Sequence, residues 1–86
     1  KVVRCKGLAG VMIGFSDGVH EDILTLYTDR IELYRAGLEY SMDTTDAFHE
    51  YRIDIRGTDV HVTVDSTPAI DGPGKFTFLA YQGRNR

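Results

Sequence analysis

Two groups of acidic residues, each with a histidine, are the parts of this sequence whose side chains could carry chemistry. The first group surrounds a turn and consists of Asp17, His20, Glu21 and Asp22. Carboxylate oxygens bind hard cations, so this group is one candidate cation site. The run His20-Glu21-Asp22 lacks the second histidine that a zinc-protease helix requires. A solvated turn is the simpler interpretation, and the sequence predicts no metal ion and no cofactor.

The second acidic group consists of Asp43, Asp46, His49 and Glu50. Paired carboxylates on either side of a sugar bond are the catalytic machinery of glycosidases, which makes this group a candidate for hydrolysis. Aspartates in a segment rich in turn formers more often cap turns through hydrogen bonds to the local backbone. We therefore expect Asp43 and Asp46 to cap turns and predict no catalytic residue.

The segment 48–65 has the most regular pattern, because apolar and polar residues alternate on both sides of Gly57-Thr58. Such alternation predicts β-strands, and glycine at the first position of a two-residue connection predicts a type II′ hairpin. A two-residue turn also fixes the register of the two strands. The expected apolar pairs are Ile55 with Val60, Ile53 with Val62, and Tyr51 with Val64. The expected polar pairs are Arg56 with Asp59, Asp54 with His61, and Arg52 with Thr63.

The polar face of this hairpin is the predicted ligand-binding surface. Its candidate residues are Arg52, Asp54, Arg56, His61 and Thr63. Arginine and aspartate present planar donors and acceptors that suit sugar hydroxyls, so a glycan is one candidate ligand. Tyr27, Tyr34, Tyr40 and Tyr81 could add stacking rings, although the chain has no tryptophan. The alternative left open is a solvated sheet face, with the tyrosines in the core and Asp54 and His61 as an ordinary surface pair.

Short strands are the elements expected to position these residues. Besides the hairpin, the sequence predicts strands over 8–15, 21–27, 30–35, 38–41 and 75–81. Loops are expected over 42–46 and 66–74, and the second of these contains both prolines. Strands at intervals of roughly 8–12 residues predict an all-β antiparallel sandwich or barrel.

Composition limits the classes of protein that remain. A chain of 86 residues forms one domain, residues 1–86, and buries only roughly 60% of its unfolded surface. Cys5 is the single cysteine, which excludes an internal disulfide. We expect a buried or idle thiol, and an intermolecular Cys5 disulfide is the alternative left open. The net charge of −3 argues against nucleic acid and anionic membranes as partners. The chain begins at Lys1, which we interpret as a processed or excised start, so localisation stays open.

The hairpin resembles a sequence motif that is common in concanavalin A-like domains. This superfamily includes laminin G-like, pentraxin-like and glucanase jelly rolls. The matching residues are Phe48-His49-Glu50-Tyr51-Arg52-Ile53, then Gly57, then Val60-His61-Val62-Thr63-Val64-Asp65. Residues 14–18 and 29–33 also resemble the strands that precede this motif in the family. The resemblance extends over residues 8–81. The resemblance implies a jelly-roll sandwich.

The resemblance implies a non-catalytic, carbohydrate-associated accessory module of a secreted protein, similar to modules attached to sialidase-like propellers. It also implies that His49 is a structural hydrogen-bond partner, and the glucanase motif Glu-x-Asp-x-x-Glu is absent. Asp65-Ser66 occupies the position where the family motif has Asp-Gly. This difference predicts a turn of a type other than the one that Asp-Gly forms.

The chain is also shorter than members of this superfamily usually are. We therefore expect either a part of a larger chain or a half-sandwich that a second copy completes. Two other functions stay open: a structural β-domain that forms homo-oligomers through its sheet edges, and a fragment of a glycoside hydrolase.

Overall fold

The structure, a computed structural model, describes residues 1–80. These residues form eight β-strands joined by turns and loops. The strands are β1 (Val2–Gly7), β2 (Met12–Ser16), β3 (Glu21–Leu26), β4 (Arg30–Leu33), β5 (Leu38–Ser41), β6 (His49–Arg56), β7 (Asp59–Val64) and β8 (Thr67–Gly72). Residues 1–80 contain no helix, and hence none that is long and apolar enough to cross a membrane. The all-β prediction is confirmed.

The strands form two antiparallel sheets of four strands each. The first sheet has the order β1-β6-β7-β8, and the second has the order β2-β3-β4-β5. The second sheet is a meander, because its order in space is its order along the chain. In the first sheet β1 pairs with β6, and all four strands of the second sheet lie between these two strands along the chain. The chain therefore leaves the first sheet after β1 and returns to it at β6.

Buried residues of both sheets form one hydrophobic core, so the architecture is sandwich-like. The second sheet contributes Leu24, Leu26, Ile31 and Leu33, and the first contributes Tyr51, Ile53, Ile55, Val60, Val62 and Val64. Phe76, which follows β8, stacks on Phe15 of β2 with 5.7 Å between ring centroids. At Gly72 an added Cβ would lie 2.8 Å from Cδ1 of Leu38, which shows how closely β8 approaches β5.

The hairpin of β6 and β7 has the predicted register in all of its pairs. Ile55 is opposite Val60, and the polar pairs follow the same alternation. Gly57 has a φ of 59° and Thr58 does not have a positive φ, which is the combination that a type II′ turn needs. All six apolar residues of the hairpin are buried. The prediction holds because turn chemistry and alternation specify the same register.

The N-terminal part of the chain differs from the prediction. Val2–Gly7 forms β1, which the sequence did not predict, and places Cys5 opposite Tyr51. The strand expected over 8–15 begins only at Met12. The chain turns before Met12, and Gly10 has a φ of 95°, a left-handed value that glycine adopts without strain.

The predicted loop 66–74 is wrong over most of its length, because Thr67–Gly72 forms β8. Pro68 lies in this strand opposite Thr63, where the register between β7 and β8 shifts. Among the strands of residues 1–80, β8 lies at an edge of its sheet, and an edge strand tolerates a proline because one side of its backbone needs no ladder partner.

The strand expected over 75–81 is also wrong in the described residues. After Gly72 the described residues form no further strand, and the segment joins the rest of the fold through isolated contacts. Glu21 N–H donates to the Phe78 carbonyl at 2.9 Å, and Leu79 forms an isolated bridge with His20. Tyr81 lies outside the described residues.

The turn between β7 and β8 keeps two residues in the left-handed region, with a φ of 49° at Asp65 and 71° at Ser66. Two positive φ values in a two-residue connection are characteristic of a type I′ turn, which Asp-Gly also favours. The prediction that Ser66 would change the turn type is therefore wrong. The register shift between Val62 and Thr63 places Val64 opposite Thr67, so only the two residues with positive φ form the connection.

Candidate functional site

All five predicted ligand residues lie on the outer face of the first sheet, which we define as the side turned away from the core. Arg52, Asp54 and Arg56 alternate with buried residues along β6. His61 and Thr63 do the same along β7. The structure therefore brings them to one face, because period-two alternation sends every second side chain to the same side of a strand. Their role in binding stays a prediction.

A depression of about 230 Å³ lies on this face. It is lined by Arg4, Glu50, Arg52, Thr63 and Ser66, and we call it the arginine depression. Of the five predicted residues, Arg52 and Thr63 line it, whereas Asp54, Arg56 and His61 lie outside its lining. Arg4 was not among the residues predicted from the sequence, because β1 was not predicted. Arg4 and Lys6 face outward and Cys5 between them faces inward. This alternation is the signal that could have revealed the strand.

Two arginines face each other across neighbouring strands in the arginine depression. Arg4 of β1 is directly opposite Arg52 of β6. Like charges at opposite positions of an antiparallel pair destabilise the sheet. A guanidinium nitrogen of Arg52 lies 3.3 Å from a carboxylate oxygen of Asp54, which offsets part of that repulsion. Within residues 1–80, the Arg4 guanidinium forms no ion pair.

His61 is paired with a carboxylate other than the one expected. Its Nδ1 lies 2.5 Å from a carboxylate oxygen of Asp71 in β8. Asp54 is the cross-strand neighbour of His61, as predicted, but its carboxylate contacts Arg52. The difference arises because β8 was predicted as loop, and its pairing with β7 places Asp71 opposite His61.

The tyrosines do not join the arginine depression. Tyr27, Tyr34 and Tyr40 lie in or beside the second sheet, and each is at least 36% exposed. The Arg30 guanidinium lies 4.1 Å from the centroid of the Tyr27 ring, a cation–π contact. The prediction that these three tyrosines supply stacking rings beside the predicted surface is therefore wrong. The alternative prediction, that they lie in the core, is also wrong.

Asp17 accepts backbone hydrogen bonds within its own turn. One carboxylate oxygen accepts from the N–H groups of His20 and Val19, each at 2.8 Å. These bonds hold the pKa of Asp17 below its ordinary value. The carboxylate therefore stabilises the turn between β2 and β3, as a solvated turn predicts.

Asp22 is 2% exposed and accepts three backbone hydrogen bonds. One oxygen accepts from Ile23 and Arg35, each at 2.7 Å, and the other accepts from Ala36 at 3.1 Å. Asp22 thus ties β3 to the turn that joins β4 and β5. The described residues contain no group of three or more side chains placed to hold a metal ion.

The second acidic group is organised around His49. Its Nδ1 lies 2.6 Å from Asp65 and its Nε2 lies 2.7 Å from Asp46. Asp65 and then Asp46 raise the pKa of His49 above its ordinary value, because both carboxylates favour the charged ring. An imidazolium that donates both protons has no lone pair with which to act as a base. We call His49, Asp46 and Asp65 the histidine clamp.

Asp43 caps its turn as predicted, whereas Asp46 does not. Asp43 accepts from the hydroxyl of Thr45 at 2.6 Å and from its N–H at 2.8 Å, which lowers the pKa of Asp43. Asp46 is instead a partner of His49. Asp65, the other partner, was not grouped with His49 because it follows the next strand, 16 residues further along the chain.

Cys5 is half-buried in β1, and its Sγ lies 3.8 Å from the Tyr51 carbonyl oxygen. Burial raises the pKa of the thiol, which lowers its reactivity because the thiolate is the nucleophilic form. This environment is consistent with the idle thiol that the sequence predicts.

No protein-family model, curated protein or solved structure matches this chain. The concanavalin A-like resemblance continues to rest on the residues of the β6–β7 hairpin.

Proposed function

We propose that this chain is a non-catalytic carbohydrate-binding module of a secreted glycan-processing protein, with a concanavalin A-like jelly-roll sandwich. The observation that carries the proposal is the arginine depression on the outer face of the first sheet. Its lining comes from three neighbouring strands and the turn after β7, which makes it a site assembled by the fold rather than by one local segment.

The lining of the arginine depression matches the hydrogen-bonding character of a sugar. Arg4 and Arg52 offer donors only, Glu50 offers acceptors only, and the hydroxyls of Thr63 and Ser66 offer both. Each sugar hydroxyl both donates and accepts, so a mixed lining can satisfy several hydroxyls of one ring.

The size of the depression supports surface binding. At about 230 Å³ it is smaller than the roughly 300–1,000 Å³ pockets that enclose drug-sized ligands. We expect one ring of a glycan to occupy the depression while the rest of the chain lies along the sheet.

The state of the acidic groups supports a binding role over hydrolysis. Asp17 and Asp22 accept backbone hydrogen bonds, and both nitrogens of His49 contact carboxylates. These side chains stabilise turns and strand ends through hydrogen bonds within the protein.

A glycan array tests the proposal with two arginine variants of the same strand. Arg52→Ala should abolish binding because Arg52 lines the depression. Arg56→Ala, which removes the same charge outside the lining, should leave binding unchanged. The isosteric Thr63→Val should weaken binding through loss of a hydroxyl. Absence of binding to every glycan, or equal loss in both arginine variants, would contradict the proposed surface.

A second candidate function is a structural β-domain that pairs with another copy through a sheet edge. Exposed apolar residues near β2, an edge strand within the described chain, favour it. Met12 is 65% exposed and Val19 is 53% exposed. Light scattering at increasing concentration tests this function: dimers that Met12→Lys disrupts would support it, and a monomer throughout would contradict it.

A further inference from the structure

We propose that the ligand of the arginine depression is an anionic saccharide, whose carboxylate or sulfate group is held between Arg4 and Arg52. This inference rests on the proposed carbohydrate-binding function and names the class of sugar that the site would take.

The two arginines lie side by side on neighbouring strands. Arg4 and Arg52 are opposite residues of an antiparallel pair, which places their Cβ atoms roughly 4.5–5.5 Å apart. Both side chains point away from the core and line the same depression. Two long guanidinium side chains that start side by side can converge on the oxygens of one anion, and arginine suits carboxylate and sulfate because its donors form a planar fork.

This arrangement of two like charges is unfavourable in the free protein. Opposite like charges oppose sheet formation, and within residues 1–80 no carboxylate forms an ion pair with Arg4. His61 and Arg30, on other strands, do meet carboxylates, at 2.5 Å and 2.9 Å. A bound anion would neutralise the unfavourable pair, so binding would relieve a repulsion that the free protein carries.

The surroundings of the pair indicate which anion fits. The chain as a whole has a net charge of −3, so the positive region is local. Glu50 lines the same depression and would repel a second anionic group placed beside the first. The hydroxyls of Thr63 and Ser66 suit the uncharged hydroxyls of the ring. These features favour a sugar with one acidic group over a dense polyanion such as a nucleic acid.

Matched pairs of polysaccharides test the inference with the whole chain. One pair is polygalacturonate and its methyl ester, and the other is a carrageenan with one sulfate group per disaccharide and the same polymer after desulfation, with affinity measured by titration calorimetry. Because hydrogen bonds to charged groups contribute more than neutral ones, the charged member of at least one pair should bind about tenfold more tightly or better. Raising the salt concentration should weaken that binding.

Arginine variants assign the effect to the depression. Arg4→Gln and Arg52→Gln should each lower the affinity for the charged polymer by about tenfold. Arg56→Gln, which removes an equal charge from the same face, should change it little. Arg4→Gln should also keep or raise the melting temperature, because it removes a like-charge pair, so weaker binding in that variant cannot be attributed to unfolding.

The outcomes separate the inference from the proposed function. Equal binding of the charged and neutral members of both pairs, or binding of neutral glycans alone on the array, overturns the inference and leaves the carbohydrate-binding function in place. Absence of binding to all four polymers and to the array overturns both. Binding of a single-stranded oligonucleotide as tight as that of the best polysaccharide overturns the assignment to a saccharide.

Discussion

The ring of His49 lies 2.6 Å from the carboxylate of Asp65, and the other oxygen of that carboxylate accepts the Glu50 N–H at 2.8 Å. Asp65 therefore ties the start of β6 to the turn after β7 through two separate bonds. Asp46, 2.7 Å from the other ring nitrogen, adds the preceding loop to the same cluster. The histidine clamp thus joins three segments through one imidazolium.

The histidine clamp should make stability depend on pH. The raised pKa of His49 means that its contribution is complete below the unfolded value of about 6.5 and is lost as pH rises through the higher folded value. The lowered pKa of Asp65 means that its contribution is present above about 3.9 and is lost as pH falls through the lower folded value. Urea unfolding from about pH 4 to about pH 9 should show the alkaline loss in the wild type.

Two variants assign this loss to the clamp. His49→Gln should flatten the alkaline limb, since it removes the group whose deprotonation weakens the clamp. His61→Gln serves as the matched control because His61 pairs with Asp71 on the exposed outer face. Parallel pH profiles for the wild type and His49→Gln would show that the clamp does not contribute to stability.

Removing the hydroxyl of Tyr51 should leave the fold as stable as before or more stable. Tyr51 is fully buried, and its hydroxyl has no hydrogen-bond partner among the described residues. A buried donor without a partner costs about 1–3 kcal/mol, so Tyr51→Phe keeps the packing and removes the cost. Urea unfolding measures the difference.

Tyr51→Ala separates packing from hydrogen bonding at this position. Loss of the ring should cost about 3–5 kcal/mol, as it does for other large buried side chains. A loss of about 1 kcal/mol or more in Tyr51→Phe would show instead that the hydroxyl is hydrogen-bonded in solution.

The close approach of the two sheets at Gly72 gives a prediction about packing. An added Cβ would lie 2.8 Å from Cδ1 of Leu38 and 3.1 Å from the Val60 carbonyl oxygen. The Leu38 side chain can move, but the backbone oxygen can do so only with β7. Gly72→Ala should therefore lower the free energy of unfolding by about 1–3 kcal/mol, the usual cost of overpacking.

Gly14→Ala is the control for this prediction, because among the described residues no atom lies within 4 Å of its added Cβ. Gly14 also lies within a strand and does not have a positive φ. The variant should be neutral or stabilise the fold by about 0.4–1 kcal/mol, since alanine restricts the unfolded chain. Equal effects of the two substitutions would mean that β8 and β5 do not approach each other as described.

The sequence was sufficient for the β6–β7 hairpin because every signal there is local. Gly57-Thr58 defines the turn, and Ile53 and Val62 illustrate the alternation that fixes the register. The same reasoning failed for β8, because Pro68 indicates a loop unless the strand is known to lie at an edge. Edge position is a property of the assembled sheet and is not encoded near the proline.

The candidate site was predicted only in part for a related reason. Arg52 and Thr63 are neighbours within one hairpin, so their position followed from its register. Arg4 joins them only because β1 pairs with β6, a contact between residues far apart in the chain. Alternation shows which side of a strand a residue occupies, but not which distant strand lies beside it.

The buried carboxylate of Asp22 gives the last prediction. Its two oxygens accept three backbone hydrogen bonds, of which those from Arg35 and Ala36 fix the turn between β4 and β5. In Asp22→Asn one oxygen becomes an amide nitrogen, which cannot accept these bonds and places donors against N–H groups. The variant should lose about 1–3 kcal/mol of unfolding free energy, the cost of a buried polar group left without a partner.

Asp17→Asn is the control for this prediction. Asp17 likewise accepts backbone hydrogen bonds, two in number, but it lies at an exposed turn, so the effect of the substitution on stability should be much smaller. Hydrogen exchange locates the change: the Arg35 and Ala36 amides should lose protection in Asp22→Asn and keep it in Asp17→Asn, and unchanged protection in both would show that Asp22 does not hold this turn.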